Sequence, residues 1–268
     1  MSFLYHSNTF LKVNRIDHEL RAECTILSND IEAAAWVYTD VSTLAIKRAG
    51  WAQYRSVYGK TGVFDLPELI GIEAYITGGP ALKQRLGAPE QALPHELIAE
   101  CFRGILQAET FFFMERGFQS ARQYDDFCEE HSIGACRYYS HLDLTEKQWT
   151  EWVETTERSY NLFNRSKTVT IQQQHSDFIV TASFIDSFHH LSILMELNQA
   201  GVIRKASGDY ISAPDKICSD NTEHLPSFIG TRLADMSKKE IAVLAGGAEG
   251  CNHLVDLIYE VVKAMDKV

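Results

Sequence analysis

Two stretches of the chain alternate apolar and polar residues with a period of two. Phe178, Val180, Ala182 and Phe184 alternate with Ile179, Thr181, Ser183 and Ile185; Leu191, Ile193, Met195 and Leu197 alternate with His190, Ser192, Leu194 and Glu196. Each stretch predicts a strand with one apolar face. The turn Asn198-Gln199-Ala200-Gly201 leads on to Val202-Ile203-Arg204-Lys205, and three strands with short connections predict an antiparallel meander. The first half follows the same plan, with Ala33, Ala35 and Val37 at the positions of Leu191, Ile193 and Met195. Near each end of the plan the period becomes helical. Leu254, Leu257, Ile258, Val261, Val262 and Met265 form an amphipathic stripe, and Leu97, Ile98, Cys101, Phe102, Ile105 and Leu106 form its counterpart. Ser237 to Leu244 predicts a shorter helix with Ser237 as N-cap and Glu240 completing a capping box, before Gly246-Gly247 breaks the chain.

The two halves also share sequence. Leu66-Pro67-Glu68-Leu69-Ile70-Gly71 recurs as Leu225-Pro226-Ser227-Phe228-Ile229-Gly230, a shift of 225 − 66 = 159 residues. Leu44 lines up with Val202 and His95 with His253, each at a shift of 158. A near-constant shift predicts a tandem duplication. The expected fold is α+β: two repeats, each a small antiparallel meander followed by helices. The first repeat spans residues 1–109, a mostly helical insert 110–167, and the second repeat 168–268. The insert carries the run Phe111-Phe112-Phe113 and a predicted helix from Thr145 to Phe163 bearing Trp149 and Trp152. A duplicated chain of this kind is expected to mimic a two-fold dimer, the insert covering the joint.

The 268 residues carry a net charge of −11, so nucleic-acid backbones and anionic membranes would be repelled and neither is an expected partner. No apolar run reaches the roughly 18 residues of a membrane helix. Met1 to Glu19 is polar and does not read as a secretory leader, so the six cysteines are expected to be reduced, in the cytoplasm. A small-molecule or protein partner and a homodimer are compatible with the composition.

The sharpest candidate chemistry lies in the second half. Gly246-Gly247-Ala248-Glu249-Gly250-Cys251-Asn252-His253 runs into the last predicted helix, placing Cys251 where exposed amides and the helix dipole favour a thiolate. Thiolate and imidazole suit zinc or iron. Cys218, after the third strand, and His189-His190, between the first two, sit on loops that a meander can gather at one end. In the first half Cys251 aligns with Leu93, Cys218 falls near Lys60, and His189-His190 align with Ile31-Glu32, so the fold does not require them. The expected metal ligands are His190, Cys218, Cys251 and His253, with His189 an alternative to His190. Buried, inert cysteines are the competing reading. A second set, Cys128, His131, Cys136 and His141, has spacings that match no standard zinc finger.

The second half also resembles an uncharacterised bacterial family, a domain of unknown function. The resemblance rests on Gly201-Val202-Ile203-Arg204-Lys205-Ala206, on Ala213-Pro214-Asp215-Lys216-Ile217-Cys218, and on the Gly246 to Ile258 segment with its Gly-Cys-Asn-His-Leu. The chain is similar to a tandem member of that family with an extra insert. More distantly, the order of elements is similar to iron–sulfur scaffold proteins of the NifU N-terminal type. That resemblance implies His189 or His190, Cys218, Cys251 and His253 as ligands. The hairpin lacks that family's Cys-Gly-Asp, which favours a mononuclear site. The expected function is therefore a zinc- or iron-binding protein with one site in the second repeat. The alternatives are a metal-free enzyme with Cys251 as nucleophile, or a pseudo-dimeric module that binds a ligand or partner without catalysis.

Overall fold

Strands form where alternation is strong, and helices where the apolar stripe takes over. A computed structural model describes residues 1–57, 59–87, 93–153 and 158–268. In chain order the strands β1 (Ser2–Ile16), β2 (Glu19–Ser28), β3 (Ile31–Asp40), β4 (Ile46–Ser56) and β5 (Gly62–Asp65) come first. Helices α1 (Gly78–Leu86), α2 (Leu93–Ala108), α3 (Ala121–Ser132), α4 (Arg137–Ser140) and α5 (Trp149–Trp152) follow. Then come β6 (Asn161–Gln174), β7 (Asp177–Asp186), β8 (His190–Leu197), β9 (Ile203–Ser212), α6 (Lys216–Ser219), α7 (Lys238–Ala245) and α8 (Asn252–Met265). The class is α+β with antiparallel sheet. The chain divides into two compact units: a C-terminal unit of Met1–Asn8, Arg122–Glu154 and Ser166–Val268, and an N-terminal unit of Thr9–Ala121 and Thr155–Arg165.

Within the C-terminal unit the strand order is β1-β6-β7-β8-β9. β7 and β8 are antiparallel from Phe178↔Leu197 to Ile185↔His190, so the inward residues of both strands share one face. Val180, Phe184, Leu191, Ile193 and Met195 pack there with Leu254, Leu257, Ile258 and Val261 of α8. Burying each such side chain contributes about 1.5–3 kcal/mol. α7 opens with the expected capping box at Ser237 and Glu240. Lys167 on β6 is buried and meets Glu260 of α8 at 2.7 Å; the lysines at 167 and 263 hold that carboxyl below its ordinary range against the effect of burial.

Within the N-terminal unit the order is β5-β4-β3-β2-β1, with β2, β3, β4 and β5 paired antiparallel. Cys24, Ala33, Ala35 and Val37 are buried, as are Leu97, Ile98, Cys101 and Ile105 of α2. Cys101 Sγ lies 3.7 Å from the Ala22 carbonyl and 3.8 Å from that of Ala35, which sets α2 on β2 and β3. The two Leu-Pro-x-x-Ile-Gly segments make the same backbone bonds. Ile46 N–H donates to Ile72 and Gly71 N–H to Ile46, both at 2.8 Å; Ile203 N–H donates to Thr231 at 3.0 Å and Gly230 N–H to Ile203 at 2.9 Å. Both turns need φ near +85°, 84° at Gly71 and 89° at Gly230, a conformation that favours glycine.

The predicted helix from Thr145 to Phe163 is corrected. Its helical part is α5, Trp149–Trp152, and Asn161, Leu162 and Phe163 begin β6; residues 154–157 lie outside the described residues. The alternating burial of β6 was hidden because two of its inward positions are charged, Arg165 and Lys167, each buried and ion-paired.

Candidate functional site

β7 ends at Asp186 and β8 begins at His190, so Ser187, Phe188 and His189 make the turn. The Asp186 carboxylate closes it. Its Oδ1 accepts the N–H of Phe188 at 2.9 Å and of His189 at 2.8 Å, while Asp186 N–H donates to the His189 carbonyl at 2.8 Å. This is the turn chemistry at which short acidic side chains excel. The Asp186 side chain is fully buried, which an ionised carboxylate tolerates only with such donors around it. The same Oδ1 stands 3.1 Å from His189 Nδ1. An acceptor there assigns the proton to Nδ1 and leaves Nε2 with its lone pair.

The third member arrives on α8. The His253 ring lies 4.2 Å, centroid to centroid, from that of His189 and 4.8 Å from that of Phe184. One ligand atom each from Asp186, His189 and His253 lies within 4.8 Å of the others. The loop that delivers His253 leaves no room for side chains at two glycines. A Cβ on Gly250 would collide with the Ala245 carbonyl, and one on Gly246 would sit 2.8 Å from the Ala242 carbonyl. The tight path lets Cys251 N–H donate to Ala245 at 2.7 Å, and α8 starts at the next residue. Beside the turn, Trp149 of α5 meets Phe188 edge-on at 4.9 Å, and Phe188 meets His189 edge-on at 6.4 Å. α5 is placed by Asp215, whose Oδ2 accepts Glu146 N–H at 2.8 Å and Trp152 Nε1–H at 3.4 Å.

Of the four residues expected as ligands, His253 belongs to this group. His190 is the first residue of β8, opposite Ile185, and the group takes His189 in its place. Cys218 and Cys251 are buried elsewhere in the unit. Tyr210 donates its hydroxyl to Cys251 Sγ at 2.9 Å. Burial pushes the Cys251 thiol up to about 11; the Tyr210 hydroxyl and the amides of Leu254 and His253 pull it down without prevailing, and Cys136 nearby adds to the rise. Burial, then the neighbouring Cys251 and Cys136, pushes Cys218 up to about 12. The helix start thus fails to make Cys251 a thiolate, because loss of hydration outweighs the dipole. Cys128, His131, Cys136 and His141 form no ligand group among the described residues. His131 bonds the Phe127 carbonyl at 2.9 Å, and His141 bonds Glu249 at 2.8 Å.

Asp186 is the residue that sequence reasoning missed. Its signal was available: an acidic residue at the end of an alternating run, three before a histidine, is placed to cap the turn and hold that histidine.

No curated protein matches the chain, and no solved structure matches it. The model of one family, described as a protein of unknown function (DUF2889), matches residues 165–266, a stretch that contains Asp186, His189 and His253. A DUF2889 domain therefore occupies the region that carries the candidate site.

Proposed function

We propose that the C-terminal unit binds a single divalent transition metal, zinc or iron(II), through Asp186, His189 and His253. The observation that carries this reading is the convergence of one carboxylate and two imidazoles, with their ligand atoms within 4.8 Å of one another. The donor types fit. Two histidines and a carboxylate suit both hydrolytic zinc and non-haem iron(II), and three protein donors leave positions open for water or substrate. In the metal-free chain the Asp186–His189 contact holds the imidazole beside the carboxylate. A metal bound here would supply a Lewis acid beside the Phe184, Phe188 and Trp149 rings.

The group contains no thiol, which favours a mononuclear site over a NifU-type cluster scaffold. The alternative of a Cys251 nucleophile is disfavoured by the protonated, buried state of that thiol at neutral pH. We read the chain as a tandem duplication in which the second copy alone carries the site. The paired Leu-Pro-x-x-Ile-Gly turns support the duplication, and Ser28 and Ile31 at the places of Asp186 and His189 support the asymmetry.

The test is elemental analysis of anaerobically purified protein after incubation with zinc or iron(II) and desalting. About one equivalent in the wild type, retained by Cys251→Ala and lost in His189→Ala and in His253→Ala, is expected of a three-donor site. Metal-free wild type, or metal that stays in both histidine variants while circular dichroism reports a folded chain, would overturn the reading.

A further inference from the structure

Four of the six cysteines, Cys128, Cys136, Cys218 and Cys251, belong to the C-terminal unit, and the candidate metal site uses none of them. Two of the four stand in a particular relation. Arg137 N–H donates to the Gly250 carbonyl at 2.8 Å. That bond joins the peptide group following Cys136 to the peptide group preceding Cys251. The backbone is extended at both cysteines, with φ −155° and ψ 166° at Cys136 and φ −138° and ψ 122° at Cys251. In an antiparallel pair an N–H···O bond so placed brackets two facing residues whose Cα atoms stand roughly 4.5 Å apart. A disulfide spans roughly 4.4–6.8 Å. Cys136 is half-buried and Cys251 is buried, so one thiol can meet a reagent and the other waits behind it.

We propose that Cys136 and Cys251 are a redox pair that closes to a disulfide under oxidation, clamping the start of α4 to the loop that delivers α8. The co-reactant is a low-molecular-weight disulfide. The Cys136 thiolate attacks one of its sulfurs, forming a mixed disulfide and expelling one thiolate. Cys251, having given up its proton, attacks Cys136 Sγ and expels the second. Two protein thiols are oxidised, one reagent disulfide is reduced to two thiols, and the two protons end on those thiols. Cys218 is the competitor, since it packs in a small cluster with Tyr138 against which Cys136 also rests.

The experiment is peptide mapping under non-reducing conditions. The folded, full-length protein is incubated with oxidised glutathione at mildly alkaline pH, denatured, and alkylated at once. A reducible cross-linked peptide joining Cys136 to Cys251 is expected, with free thiols falling from six to four. The link persists in Cys218→Ser and is absent in Cys136→Ser, whose substitution is half-exposed and isosteric. Cross-links of Cys218 to either partner, glutathione adducts that never resolve, or unchanged thiols would each overturn the pairing. The readout does not depend on metal and stands apart from the proposed function.

Discussion

The β2–β3 turn of the N-terminal unit and the β7–β8 turn of the C-terminal unit solve the same local problem with different residues. Ser28 ends β2, and its Oγ accepts Ile31 N–H at 3.1 Å; Asp186 ends β7, and its Oδ1 accepts His189 N–H at 2.8 Å. Both pairs are separated by three residues, and 186 − 28 = 158 matches the shift between His95 and His253. The hydroxyl closes one turn and the carboxylate closes the other. The carboxylate also fixes a histidine, whereas the residue at that place in β3 is Ile31. His95 keeps its position near the start of α2, but its Nδ1 bonds the Gly87 carbonyl. One turn is closed by a short acceptor alone, and the other sets a carboxylate and a histidine of the proposed metal site beside the same kind of bond.

The comparison breaks most visibly on metal. His253→Ala is expected to abolish the single equivalent, and His95→Ala to leave it untouched, both read by elemental analysis; equal loss in the two would erase the distinction between the units. Asp186→Asn comes next. It keeps an acceptor for the turn but replaces the anionic donor with a neutral amide, and metal affinity is expected to fall by more than the roughly 10-fold typical of an outer-shell change, read by competition with a chromogenic chelator. Stability separates the turns more modestly. Asp186→Ala removes a buried, charged acceptor of several donors and is expected to cost about 1.5–3 kcal/mol. Ser28→Ala removes a neutral one and is expected to cost about 0.5–1.5 kcal/mol, both by urea denaturation of the metal-free protein. The smallest effect is alkaline. Burial first raises Cys218 from 9.0 to about 12, so the native state keeps a proton that the unfolded chain releases. The resulting stability is complete below about pH 9 and declines as pH rises toward 12. Cys218→Ser should flatten that decline in the urea midpoint.

Much of the fold is legible in the sequence, where pattern and physics agree. The alternation through Phe178–Ile185 and His190–Leu197 gave β7, β8 and their common face. The stripe from Leu254 gave α8, and Ser237 with Glu240 gave the start of α7. β6 was obscured because Arg165 and Lys167 occupy inward positions, their charges met by Glu100 and Glu260. Pattern reading treats a charge as outward, and only long-range pairing makes it an inside residue. The candidate site was half legible. Chemistry-rich types drew attention to Cys218 and Cys251, whose burial in fact raises their pKa. The choice between His189 and His190 depended on where β8 begins: pairing of His190 with Ile185 leaves His189 to the turn. Asp186 was overlooked because an acid at a strand end is ordinary until its carboxylate is seen facing inward.

The packing of Gly250 against Ala245 carries a lesson for reading relatives of this domain. The proposed site could be dismantled without touching any of its three residues: one added methyl at Gly250 would force the loop off the Ala245 carbonyl and carry His253 away from His189. Glycine and alanine codons differ by one base, so such a loss is a short mutational step. A chain that keeps the aspartate and both histidines but has lost this glycine is expected to lack the proposed metal site, and an inventory of the three residues alone would misclassify it.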